Sequence, residues 1–66
     1  MIKTDDVVVA TINGHRYVTL VLQGQTKEWD HMVRVSDPEE PGEGTLVPVD
    51  DIDYLTPQLA EEILGV

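Results

Sequence analysis

Apolar and polar positions alternate most clearly over residues 6–22, DVVVATI-NG-HRYVTLVL. Two runs of β-branched and aromatic residues flank Asn13-Gly14. A two-residue Asn-Gly loop suits a type I′ turn, which needs positive φ at both central positions. The pattern predicts a hairpin of strands at 6–12 and 15–22. The turn sets its register: Ile12 opposite His15, Ala10 opposite Tyr17, Val8 opposite Thr19, Thr11 opposite Arg16, Val9 opposite Val18 and Val7 opposite Leu20. Side chains along a strand alternate between faces, so these pairs divide into two sets. One set holds Val7, Val9, Val18, Leu20 and Leu22 and is assigned to the core. The other holds Val8, Ala10, Ile12, Tyr17, Thr19 and Val21, with His15 at the turn.

An antiparallel sheet with one solvated face alternates apolar and polar cleanly, and this hairpin does not. Two readings account for the apolar second face. Either a small barrel or strongly curved sheet encloses it with help from the chain ends, or Val8, Ala10, Ile12, His15, Tyr17 and Val21 form an interaction surface for a protein partner or a second copy. The second reading predicts a homodimer, because a two-fold contact needs only one self-complementary patch.

Further along, residues 28–35 read as a third strand, with Trp29, His31, Val33 and Val35 on the core side. Residues 36–44, SDPEEPGEG, read as a mobile loop rich in proline, glycine and acid. Residues 45–49 read as a short strand, at an edge because Pro48 has no N–H. Residues 50–53 form a tight turn. Thr56-Pro57 is a helix start, Leu59, Ala60, Ile63 and Leu64 form an apolar stripe, and Gly65 is placed as a cap, giving a helix over about 57–64. Val9, Val18, Leu20, Val33 and Ile63 are the expected core. The fold class is mainly β: a bent antiparallel sheet of four or five strands with a short C-terminal helix.

Sixty-six residues make one small domain, 1–66, with a thin core. Cysteine is absent, so neither disulfides nor thiolate metal sites support it. The net charge of −9 is unevenly placed. Lys3, Arg16, Lys27 and Arg34 balance Asp5, Asp6, Glu28 and Asp30 in residues 1–36. Residues 37–66 carry Asp37, Glu39, Glu40, Glu43, Asp50, Asp51, Asp53, Glu61 and Glu62 with no lysine or arginine. Direct binding to nucleic acid or to an anionic membrane is disfavoured, since both need cationic side chains. No apolar run reaches membrane-span length and no secretory leader pattern opens the chain, so a cytoplasmic protein is expected.

The strand order, the strand ending at Leu46-Val47-Pro48, and the turn through Asp50 to Asp53 before Tyr54-Leu55 resemble the SH3-like small barrels. The resemblance is one of fold and implies no activity. The aromatic groove that binds proline-rich ligands in SH3 domains is not assembled by Trp29 and Tyr54 alone.

Candidate chemistry is sparse. Ser36 is the only serine and lacks the glycines of a nucleophile elbow. His15, His31 and Asp30 match no metal-ligand spacing. Asp50, Asp51 and Asp53 resemble part of a calcium loop, but Leu55 occupies the sixth position, where glycine is required, and Glu61 at the twelfth falls inside the predicted helix. The sequence therefore points to a protein that is not an enzyme and uses no cofactor or metal. The expected function is a non-catalytic interaction module or small accessory protein. The alternative is an acidic inhibitor or DNA mimic of phage or mobile-element type, which would present its nine acids to a nucleic-acid-binding protein.

Overall fold

Asn13 and Gly14 adopt φ of +53° and +80°, the left-handed pair that a type I′ turn demands. The computed structural model describes residues 1–65. The turn joins β1 (Val7–Ile12) to β2 (His15–Gln23), and every expected cross-strand pair from Val7–Leu20 to Ile12–His15 is present. A second hairpin follows, β3 (Met32–Ser36) and β4 (Gly44–Pro48). A single 3₁₀ turn at Val49–Asp51 leads to β5 (Ile52–Tyr54), which returns antiparallel to β1 with Ala10 opposite Ile52 and Val8 opposite Tyr54. The five strands form one antiparallel sheet in the order β4-β3-β2-β1-β5. The sheet bends until β1 and β4 approach each other but does not close.

The hairpin faces are used opposite to the core assignment made from the pattern. Val8, Ala10 and Val21 are fully enclosed with Ile2, Val33, Val35, Val47 and Ile52. Val7, Leu20 and Leu22 point outward and are exposed. The cause is curvature. A sheet bent this tightly has a narrow concave side, where valine, alanine and isoleucine fill the space at protein density. Leucine is accommodated on the convex side. Of the expected core, Val33 is enclosed as anticipated and Leu20 is not, while Val18 and Ile63 are half-buried. Val9 is buried, but on the outer face.

The third strand begins at Met32 rather than residue 28, because residues 26–29 close a turn. The Thr26 N–H donates to the Trp29 carbonyl at 2.9 Å, and the Trp29 N–H reaches the Thr26 carbonyl at 3.2 Å and the Thr26 hydroxyl at 3.0 Å. Trp29 and His31 thus lie outside the core, exposed, with ring centroids 5.0 Å apart.

The chain start is a working part of the fold. Residues 1–6 run beside the end of β2. The Asp5 N–H donates to the Val21 carbonyl at 2.8 Å, the Val21 N–H to the Asp6 carbonyl at 2.9 Å, and the Gln25 N–H to the Ile2 carbonyl at 2.8 Å. The Ile2 N–H donates to Gln25 Oε1 at 2.7 Å, and the Gly24 N–H to the Thr4 hydroxyl at 3.0 Å. These bonds set Ile2 into the open end of the core.

Helix α1 (Pro57–Leu64) has the expected ends. The Thr56 hydroxyl accepts from the Leu59 N–H at 3.1 Å, and Gly65 closes the last turn at φ +72°. Among the described residues no helix is long and apolar enough to cross a membrane.

Candidate interaction surface

The outer face of the sheet follows from the register. Arg16, Val18, Leu20 and Leu22 alternate outward along β2, and Val7 and Val9 lie beside them on β1. On the second hairpin Arg34 faces Leu46, and both point to the same side as Leu22. A Cβ placed on Gly44 would lie 2.6 Å from Arg34 Nε and 3.1 Å from Leu22 Cδ1. The missing side chain at Gly44 therefore lets Leu22 and Arg34 lie across the sheet toward β4.

Helix α1 crosses one part of this face. It packs on β2, and Glu62 meets Arg16 at 3.5 Å. Val9, on the same side of β1, is only 1% exposed although it is not part of the core cluster. The remainder is uncovered: Val7 is 50% exposed, Leu20 39%, Leu22 43% and Leu46 49%. Arg34 is exposed among them and makes no ion pair among the described residues.

Six residues were expected to form the interaction surface, and the structure separates them. Val8, Ala10 and Val21 are enclosed and unavailable to a partner of the folded chain. Ile12 and Tyr17 are half-buried at the mouth of the bent sheet, and His15 is exposed beside the turn.

The acids fall into separate groups. Asp50 and Asp51 sit in the 3₁₀ turn, Asp53 stands on β5 opposite Val9, and Glu61 and Glu62 lie on α1. Asp37, Glu39, Glu40 and Glu43 occupy the connection between β3 and β4. Among the described residues no three histidine, aspartate or glutamate side chains converge as a metal site would require.

That connection is a loop, as its composition implies, and it carries hydrogen bonds both within itself and to the first hairpin. The Asp37 N–H donates to the Glu43 carbonyl at 2.9 Å, and the Glu39 N–H donates to Asp37 Oδ1 at 2.8 Å. Glu39 then docks on the first hairpin, accepting from the Tyr17 hydroxyl at 2.7 Å and from Asn13 Nδ2 at 3.3 Å. At the root of the loop the Thr19 hydroxyl donates to the Ser36 carbonyl at 2.5 Å. The hairpin tip and the acidic segment, expected as two surfaces, are joined.

The Tyr17 hydrogen bond, helped by that from Asn13, holds the Glu39 carboxyl below its ordinary 4.5. The same bond to Glu39, together with partial desolvation and the charges of Glu39 and Asp37, raises the Tyr17 phenol above 10.0. The signs bound a pH window. The contribution of Glu39 is present above 4.5 and is lost as pH falls through its lowered folded value. That of Tyr17 is present below 10.0 and is lost as pH rises through its raised folded value. In an NMR titration, Tyr17→Phe is expected to move the Glu39 midpoint upward. An unchanged midpoint would show that this contact does not hold the loop.

The pattern set Arg34 on the side away from the core, as found, but did not single out Leu46, and it placed Val7, Leu20 and Leu22 inside. One signal for the inversion was present: the assigned core face also carries Arg16, whereas the enclosed face has no charged residue between Val8 and Val21 apart from the terminal His15. Comparison with protein-family models, with curated protein sequences and with solved structures gives no match.

Proposed function

We propose that this chain is a non-catalytic protein-interaction module, and that the outer face bearing Val7, Leu20, Leu22 and Leu46 is the surface it offers. The observation that carries the reading is the placement of the leucines. The core takes valine, alanine and isoleucine, while three leucines of the sheet stand in solvent on one face. A contiguous apolar face of this kind marks an interaction site more often than it serves solubility. The strand order, with a 3₁₀ turn between β4 and β5, supports the resemblance to SH3-like small barrels. The reading does not depend on that resemblance.

The test is affinity capture from the native host with the wild-type chain and with a Leu22→Ser/Leu46→Ser variant, each at low and high salt. The wild type is expected to retain a protein partner at high salt and the variant to lose it, with both unfolding at the same temperature. Salt strengthens apolar contacts and screens charge pairs. Equal capture by the two chains would remove the outer face from consideration. Capture by the wild type that collapses with salt would favour the acidic mimic instead.

A further inference from the structure

The helix already seated on the outer face indicates what the rest of that face is shaped to receive. α1 packs on β2, its stripe of Leu59, Ala60 and Ile63 is half-buried, and its Glu62 reaches Arg16. The uncovered part repeats these ingredients. Leu20, Leu22 and Leu46 supply the apolar floor, and Arg34 is a second outward arginine, without an ion pair among the described residues. The strip runs from β2 to β4, two strand spacings or about 9.6 Å. That width matches one α-helix of about 10–12 Å diameter.

We propose that this strip docks an amphipathic helix of a partner protein, which lays an apolar stripe on Leu20, Leu22 and Leu46 and sets a carboxylate on Arg34. The partner helix lies beside α1 and uses the same chemistry. The proposal rests on the interaction reading above and narrows it. A second copy of this chain fits less well. Two convex faces meet over little area, each chain brings a net charge of −9, and the apolar stripe of α1 is already engaged with its own sheet.

The experiment follows the methyl signals of the full chain, labelled at leucine and valine, during titration with three synthetic peptides. The first is stapled as a helix, with leucines at i, i+3, i+4 and i+7 and one glutamate flanking the stripe. The second replaces that glutamate with lysine. The third keeps the composition of the first but carries central prolines that prevent a helix. The first is expected to shift the Leu22 and Leu46 methyls saturably, the second to bind about tenfold more weakly, and the third not to bind. Arg34→Glu should reverse the preference between the first two.

Equal binding of the glutamate and lysine helices, or no helical peptide moving those methyls, overturns the proposal. So do shifts that grow with protein concentration alone, which would identify a second copy. The protein captured at high salt is titrated in the same way. If it moves the Leu22 and Leu46 methyls through a non-helical segment, the helix proposal falls and the interaction reading stands. If it leaves them unmoved, the interaction surface falls as well.

Discussion

Gly24→Ala is expected to destabilise the protein by about 3 kcal/mol, the largest loss from a single methyl group anywhere in the chain. A Cβ at this position would lie 2.6 Å from the Ile2 carbonyl oxygen, 2.7 Å from the Thr4 nitrogen and 2.8 Å from the Lys3 carbonyl carbon. All three are backbone atoms, so no rotamer change relieves the clash. Gly24 is not among the glycines with positive φ, so alanine suits the local backbone and the effect isolates the crossing itself. Residues 1–6 must lift away from β2. Lifting exposes Ile2, at about 1.5–3 kcal/mol, and strains the bonds linking Ile2 with Gln25 and Thr4 with Gly24, each contributing about 0.5–1.5 kcal/mol. A domain of this length holds only about 3–10 kcal/mol in total. Urea unfolding measures the loss, and amide exchange at Gln25 locates it. A midpoint shift worth less than about 1 kcal/mol would mean that the two segments part without cost.

The second large effect separates the two faces of one strand. Val21→Ala removes two methyl groups from a site with no exposure, and the transfer and cavity contributions together amount to about 2–3 kcal/mol. Leu20→Ala, one residue earlier, removes more carbon but from the outer face, and should cost below about 1 kcal/mol. Thermal unfolding of the pair gives the answer. If Leu20→Ala proves the more damaging, the concave side of the sheet is not the core.

This contrast also shows where the sequence could be read and where it could not. The Asn13-Gly14 turn was legible to the residue, because the φ values it requires and the register it imposes are local. The same holds for Thr56, Pro57 and Gly65 at the ends of α1, where capping involves only neighbours in the chain. Which hairpin face turns inward depends on the sign of the sheet's curvature. That sign follows from the long-range pairing of β5 with β1. Period-two alternation separates two sets of side chains and is silent about which set is enclosed. Leucine outweighed valine in the pattern, whereas a tightly bent sheet selects for small volume. The contacts of the acidic segment were hidden for a related reason. Its composition implies a loop, as found, but is silent about Glu39 reaching Tyr17 and Asn13, more than twenty positions earlier in the chain. The outer strip was hidden with the core, since one inversion relocates both.

The ladder between β1 and β5 has a kinetic consequence. The β1–β2 hairpin joins residues separated by a two-residue turn, and β3 meets β4 across one short connection. These pairs form early because little chain entropy is lost in closing them. Ala10 meets Ile52 only after nearly the whole intervening chain has been gathered, and just three pairs hold β5 in place. The search for that closure is expected to limit the folding rate, since distant pairings slow the folding of sheets. Amide exchange is therefore expected to be faster along the three pairs of this seam than within either hairpin.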